Sequence, residues 1–535
     1  ALQTAVQWAR NKQGPSLVVA RVPRLGPHSS SDDPKKYRSE ADLAEEKAHD
    51  PIARFERWLI SKGHFSETQL AQLKQQCFQD VEAAADAADL LPVPGRASAA
   101  EKVFKPFTPP ESKSRSDEQE SVVLMDALNH ALVEEMERDP GVVVFGQDVA
   151  HGKGGVFGIT RTLTERFGNE RCFNTPLAES TIVGLAIGLS VDGFHKPVAE
   201  IQFADYSWTG MNQLFNELSS IYYRSNGQWN CPVVIRMPYG GYIQGGPYHS
   251  QSTEAFLSHC PGLKVAIPSN AADAKRLLKT AIRDPNPVVF LEHKAIYRQR
   301  LFCARPEPGP DEFLEFGRAN IVRAGSDATV VAWGMMVGMA YEVAEQLAKE
   351  GLSIEVIDLR TIRPLDKQAI IDSVRKTHRL ISVEEGWPVA GIGSEIAAIA
   401  MEELFDELDA PVARAVTIGE DGPRLDACGA TGVVRGPGAD GALDLRAAPF
   451  AGAERIAMLT KAPVSQARRI AASLACFVGE SMHPAGRFRL AKLRRAGAKL
   501  RARIKFFKFR TKCVARNSQG LGNFALTRCV MRSLI

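Results

Sequence analysis

Apolar and polar positions change their period several times along the chain. From 38 to 91, "RSEADLAEEKAHDPIARFERWLISKGHFSETQLAQLKQQCFQDVEAAADAADLL" repeats apolar residues at helical spacing with a break at Gly63, and Ser66 stands three residues before Gln69 as a capping box. This predicts two or three helices and no sheet. A Pro- and Ser-rich stretch over 92–117 then reads as an exposed linker. Afterwards the texture alternates. The helix "SVVLMDALNHALVEEMERD" ends at Pro140 and Gly141 and is followed by the strands "VVVFGQD", "PVVIRMP", "LKVAIPS" and "PVVFLEH", the last two separated by the helix "AADAKRLLKTAIRD". Alternation of this kind predicts a parallel sheet covered by helices on both faces. A second linker spans 304–316, and the strands "ATVVAWG", "SIEVIDL" and "RLISVEE", each followed by a helical segment, predict a smaller α/β domain over 317–420. Beyond Asp421 the chain is rich in Gly, Ala and Arg and shows no clear period.

Composition adds two constraints. No apolar run approaches the ~20 residues that span a bilayer, so no membrane insertion is expected. Nine cysteines at 77, 172, 231, 260, 303, 428, 476, 513 and 529 form no CxxC pair, as in reduced thiols of an intracellular protein. Charge divides the chain: of the net +4, residues 465–535 carry +16 and the remainder −12.

Candidate chemistry begins at "FNTPLAEST", where Glu179 leads directly into the apolar run "TIVGLAIGLSV". A carboxylate at the edge of a buried run is either an ordinary first-turn acid favoured by the helix dipole or a group held there for chemistry. In open parallel sheets ligands bind outside the carboxyl ends of the strands. The loops expected there, "NTPLAES", "EIQFADYSW", "MPYGGYIQGGPYHSQSTEAF" and "EHKAIYRQ", offer Glu179, Gln202, Tyr206, Tyr248, His249, Ser250 and Gln251. The glycine-rich run 240–246 has no lysine at a P-loop position, which argues against a nucleotide phosphate cradle. His249 alone reads as a structural histidine; the neighbouring Tyr248, Ser250 and Gln251 and the oddly placed Glu179 make it a candidate for proton transfer.

Six stretches carry a resemblance. "VFGQDVAHGKGGVFGITRTLTERFG", "NTPLAEST", "AEIQFADY", "YHSQSTEAFLSHCPGLKVAIPSNAADAK", "DPNPVVFLEHKAIYRQ" and "DLRTIRPLD", in this order over roughly 118–420, resemble the beta component of the thiamine-diphosphate-dependent 2-oxo acid dehydrogenases, the E1 enzymes of the pyruvate and branched-chain complexes. The segment "GPSLVVARVPRLGPHSSSDDPKKYRSEADLAEEKAHDPIARFERWLISKGHFSE" is similar to the C-terminal third of the alpha component, departing from it at Val19 and Pro23. The implied architecture is an alpha-component remnant over 1–91, a transketolase-like pyrimidine-binding α/β domain over 118–303 and a transketolase C-terminal-like α/β domain over 317–420.

The resemblance also implies roles. Glu179 matches the glutamate that hydrogen-bonds N1′ of the cofactor's aminopyrimidine, and an apolar setting that raises its pKa would favour sharing that proton. Leu177, Gln202 and Tyr206 are expected to line the cofactor site. His249 is expected to act on the intermediate or on the lipoyl dithiolane, and His28, with Arg24 close by, matches a loop histidine of the alpha component. Ser29, Ser30 and Ser31 before Asp32 and Asp33 resemble a loop phosphorylated in mitochondrial members, a pattern that an ordinary Ser/Asp turn explains equally. The alpha component's GDG motif is absent from this sequence. No metal ligand is therefore assigned, and Mg²⁺ and the diphosphate are expected to need a complementary alpha part.

The implied partners are a 2-oxo acid, a lipoyl-bearing E2 acyltransferase and further subunits in a homo-oligomer or an α₂β₂-like assembly. The implied compartment is the bacterial cytoplasm, or the mitochondrial matrix in a eukaryote. "EIQFADY", "YHSQSTEAF" and "EHKAIYRQ" sit nearer the branched-chain enzymes, with pyruvate as the alternative substrate. Near Asp421 acidity, periodicity and resemblance stop together, as after a reading-frame disruption. The other readings are a genuine tail whose basic, Phe-containing run 487–512 binds nucleic acid or an anionic surface, and a catalytically incomplete fragment carrying such a tail.

Overall fold

The computed structural model describes residues 1–416, apart from positions 15, 30, 94, 114–118, 244 and 388, together with the strand Val433–Arg435. The expectations for Ser30, the frame disruption near Asp421 and the basic run 487–512 lie outside the described residues. Two compact units divide between Ala99 and Ala100.

The first unit is helical: α1 Leu2–Arg10, α2 Glu40–Ala48, α3 Pro51–Ser61 and α4 Glu67–Asp89. Local chemistry sets the helix starts. Ser39 and Asp42 form a reciprocal capping box for α2, Asp50 caps α3 with Pro51 at its first position, and Ser66 with Gln69 forms the expected box for α4. An ion pair from Lys74 to Glu56 at 2.6 Å links α4 to α3. In the loop before α2, Tyr37 donates to Asp32 at 2.8 Å and the His28 backbone N–H donates to the same Asp32 oxygen at 2.7 Å, while Arg24 donates to the Tyr37 hydroxyl. These bonds fix the turn that carries Ser29 and Ser31. They hold Asp32 below the usual carboxylate range, the His28 N–H first and Tyr37 second.

The second unit holds two large sheets and a two-stranded pair, Ser121–Val122 antiparallel with Arg305–Pro306. The larger contains β1 Val142–Gly146, β2 Cys172–Asn174, β3 Lys196–Glu200, β4 Val234–Tyr239, β5 Lys264–Ala266 and β6 Val288–His293; their order across the sheet is β5-β6-β4-β3-β1-β2 and every pair is parallel. The smaller sheet is built on β7 Asn320–Arg323, β8 Ala328–Ala332, β9 Ile354–Asp358, β11 Leu380–Glu384, β12 Ala413–Val416 and β13 Val433–Arg435. Between β9 and β11 the chain sends β10, Thr361–Arg363, to pair antiparallel with β5, so a strand from the chain of the smaller domain completes the edge of the larger sheet.

Burial on both faces explains the strand sequences. One register line joins Val144, Val198, Val234 and Val288, and the next joins Phe145, Ala199, Ile235 and Val289. Within the apolar core, the first line faces one cluster of buried side chains and the second faces another. A strand buried on both faces reads as a continuous apolar run, which is how these strands appear in the sequence.

A buried charged network crosses the larger sheet from β3 through β4 to β6. Arg236 is wholly buried and forks onto Glu292 at 2.7 and 2.8 Å while donating to Glu200 at 2.8 Å. Gly146 lies beside Glu200 with φ +157°, and a Cβ there would fall 2.5 Å from the Glu200 carbonyl oxygen, so only glycine lets β1 and β3 pair at this point.

Parts of both segments expected as linkers make side-chain contacts. From 100 onward the first one packs on the second unit: Lys102 donates to Asn226 at 2.6 Å, the Lys105 backbone N–H donates to Asn286 at 2.7 Å, and Lys264 lies over the rings of Phe104 and Phe107. In the second, Glu307 pairs with Lys275 and His130, and Glu312 with Arg276. The Pro-rich, charged texture signals an irregular path; these acids and aromatics turn it into straps.

Candidate active site

The carboxyl ends of β1, β2, β3, β4 and β6 converge on the residues singled out above. Helix α5, Glu179–Ser190, begins at Glu179, so the residue is a first-turn acid as the plain structural reading has it. Its carboxylate is also tied to two other strand ends. Gln147, immediately after β1, donates to Oε1 at 3.0 Å, and Thr209, in the turn after β3, donates to Oε2 at 3.1 Å. The apolar setting expected for this group belongs to its helix and not to its oxygens, which are half-buried and hydrogen-bonded.

A second pair stands on the neighbouring loops. Tyr206 and His249 meet through the phenol oxygen and Nε2 at 2.8 Å, and His249 Nδ1 lies 2.8 Å from the Gly245 carbonyl. Because a carbonyl only accepts, Nδ1 carries the hydrogen and Nε2 accepts from Tyr206. Burial pushes the Tyr206 phenol up, with Asp205 and Glu179 adding to it, so the hydroxyl remains a donor at neutral pH. Phe203 packs edge-on against His249 at 4.6 Å between ring centroids. Gly245 has no alternative here, since its Cβ would sit 2.7 Å from the His249 Cβ.

The other expected residues are placed more loosely. Gln202 donates to Asp148 at 3.4 Å, and Leu177 is 83% exposed on the loop before α5. His28 belongs to the first unit, where its backbone, not its ring, makes the hydrogen bond to Asp32.

The loop bearing His249 is held from beneath by residues the sequence did not single out. Asp205 Oδ1 accepts the backbone N–H groups of Ser250 and Gln251, each at 3.0 Å. Glu385, at the end of β11, accepts the Gly241 N–H at 2.6 Å and pairs with His293 Nε2. Lys294 follows His293; it is 4% exposed and its Nζ lies 5.4 Å from the Phe203 ring centroid. Burial pulls the Lys294 ammonium down to about 8 against the opposing pull of Asp205 and Glu385. Asp205 lies in the quoted stretch "FADY" beside Tyr206, and Gln147 in "VFGQD" at a strand's carboxyl end, so position relative to the strands was the available signal. Thr209 carries none, because its role depends on the turn after β3.

Three stretches of the chain match known families. Residues 120–300 match the family described as transketolase, pyrimidine binding domain, residues 317–430 the transketolase C-terminal domain, and residues 1–96 the dehydrogenase E1 component. The 2-oxoisovalerate dehydrogenase subunit beta of Bacillus subtilis (strain 168) is 48% identical over 290 residues, 54% of this chain and 87% of that protein. The chain belongs to the E1 beta family of 2-oxo acid dehydrogenases. A mitochondrial 2-oxoisovalerate dehydrogenase subunit beta 2 of Arabidopsis thaliana is 47% identical over 300 residues, 56% of this chain and 82% of that protein. The pyruvate dehydrogenase E1 component subunit beta of Bacillus subtilis is 43% identical over 294 residues, 55% and 89% of the two chains. The C-terminal match extends to residue 430, ten residues past the boundary at 420 drawn from sequence texture.

For this E1 family the implied cofactor is thiamine diphosphate. The polar set around Glu179 fits its aminopyrimidine: a carboxylate poised between two donors, beside the buried Gln147 amide oxygen, which has no partner among the described residues. Acceptors of this type suit a ring that presents an amino group and a protonatable nitrogen. Among the described residues no group of three or more His, Cys, Asp and Glu is arranged to hold a metal ion. No helix among them is long and apolar enough to cross a membrane.

Proposed function

We propose that this E1 chain acts on a branched-chain 2-oxo acid of the 3-methyl-2-oxobutanoate type, decarboxylating it oxidatively and passing the acyl group to the lipoyl group of an E2. The observation that carries the reading is Glu179, held through both carboxylate oxygens by Gln147 and Thr209 on strand ends that also present Tyr206 and His249. When bound, thiamine diphosphate supplies the electron sink for decarboxylation. Glu179 holds and releases a proton toward the aminopyrimidine, with Gln147 and Thr209 fixing its orientation. Gln202, Tyr206 and Leu177 line the site. His249, whose Nδ1 is committed to Gly245, moves a proton at Nε2 during acyl transfer, a task suited to an imidazole, whose ring nitrogen can both accept and donate a proton.

The remaining assignments extend the same reading. Residues 1–91 form an alpha-type segment whose His28 serves as the loop histidine. Mg²⁺ and the diphosphate are bound by a complementary alpha component, and the working assembly is α₂β₂-like. The enzyme works in a bacterial cytoplasm or a mitochondrial matrix.

Substrate preference rests on relatives of 48% and 47% identity for 2-oxoisovalerate against 42–44% for pyruvate. That margin is narrow, and one methylene in an apolar pocket is worth only about 1–3 kcal/mol. Pyruvate is the second reading. With an alpha component, thiamine diphosphate and Mg²⁺ supplied, competition between 3-methyl-2-oxobutanoate and pyruvate in one decarboxylation assay decides. A kcat/KM at least tenfold higher for the branched acid is expected, and a preference for pyruvate would overturn the assignment.

A further inference from the structure

Three features around the His249 loop have no place in the reaction as described. Asp205 is 5% exposed, and its Oδ1 takes both backbone N–H groups that follow His249. Its Oδ2 is buried with no hydrogen-bond partner among the described residues, and the same holds for Lys294 Nζ. The two carry opposite charges and attract each other without forming a direct ion pair, and Lys294 also spans the face of Phe203, the ring that packs on His249.

Isolated buried charges are costly, and they persist where the surrounding structure uses them. Here the use is visible in the chain. Asp205 and Tyr206 are adjacent in one turn; the first grips the backbone after His249 and the second grips its Nε2. Thr209 in the same turn grips Glu179. One short segment thus sets the mutual position of the carboxylate and the imidazole.

We propose that Asp205 is the positioning residue of the His249 loop and that Lys294 is its counter-charge, so that the turn 204–210 couples the Glu179 and His249 halves of the site. The inference rests on the proposed role of His249, and its structural half is testable without activity. Hydrogen bonds to a charged acceptor are about twice as strong as neutral ones. In Asp205→Asn, which keeps an acceptor oxygen, amide exchange across 249–251 is expected to rise about fivefold, and in Asp205→Ala it should rise further.

The functional half is read as acyl transfer to a lipoyl domain, with an alpha component, thiamine diphosphate and Mg²⁺ present. Asp205→Asn is expected to lower this rate with the KM for the 2-oxo acid unchanged within about twofold. When added to His249→Ala it should cost less than about twofold more, because its effect passes through that histidine.

Unchanged exchange at 249–251 in Asp205→Asn overturns the proposal, as does a loss that multiplies with that of His249→Ala. Raised exchange in a protein whose wild type transfers no acyl group would leave the positioning role standing and remove the assigned function of His249.

Discussion

The Tyr206 hydroxyl donates to His249 Nε2 at 2.8 Å, while the other ring nitrogen is occupied by the Gly245 carbonyl. The imidazole is thereby fixed in orientation and tautomer before any substrate arrives. Replacing Tyr206 by Phe removes one hydrogen bond, about 1 kcal/mol. Acyl transfer should fall about five- to tenfold, while decarboxylation followed with an artificial electron acceptor stays within about threefold. An equal fall in both assays would tie Tyr206 to the earlier step.

Thr209 supplies one of two donors to Glu179. Thr209→Val should slow decarboxylation about fivefold, and Thr209→Ser, which keeps the hydroxyl, should restore most of the rate. Parallel kinetics of the two variants check this.

Arg236 neutralises Glu200 and Glu292 inside the sheet. Burial lifts the Glu200 carboxyl to about 6 even with Arg236 beside it. Arg236→Met strands two buried carboxylates, a loss of about 3–5 kcal/mol. The thermal midpoint should fall by roughly 10 °C, with Arg236→Lys intermediate because it keeps the charge and loses the two-pronged geometry. A change of only a degree or two would show that the network relaxes freely.

Glu254 and Glu384 give the fold a pH dependence. Burial lifts each to about 7; Glu385 adds to the shift of Glu254, and Glu254 adds to that of Glu384 against the opposing charge of Arg414. For an acid raised in the folded state, the stabilising contribution is complete below its unfolded value near 4.5 and is lost as pH rises through 7. Glu254→Gln keeps a group that can accept from Trp333 Nε1, now 3.3 Å from Glu254 Oε1, and no longer has to ionise. It should raise the thermal midpoint at pH 8 and change it little at pH 5. Melting curves at the two pH values test the sign directly.

Much of the fold was legible because its strands are buried on both faces. "VVVFG" and "PVVFLEH" are continuous apolar runs that become β1 and β6, and the Ser66 and Gln69 capping box stands where the sequence placed it. Short strands such as Cys172–Asn174 and Thr361–Arg363 were not legible, since three residues set no period and the second owes its place to an edge of a distant sheet. In the site, Glu179, Tyr206 and His249 could be singled out by loop position and resemblance. Thr209 and Lys294 could not, because their hydrogen bond and charge interaction act across separations of 30 and 89 residues; Asp205 stood in a quoted loop, but its grip on the His249 loop spans 45 residues. The acids of the straps, Glu307 and Glu312, looked like linker residues for the same reason: their cations lie on a helix more than 30 residues earlier.

Glu179 is the residue on which the account depends most. With an alpha component, thiamine diphosphate and Mg²⁺ supplied, decarboxylation of 3-methyl-2-oxobutanoate by the wild type and by Glu179→Gln should be compared, with circular dichroism and thermal melting as controls of folding. The account predicts turnover in the wild type and a loss of at least about a hundredfold in the variant, the scale of a lost general acid or base, at an unchanged melting temperature. Equal rates in the two proteins would contradict it.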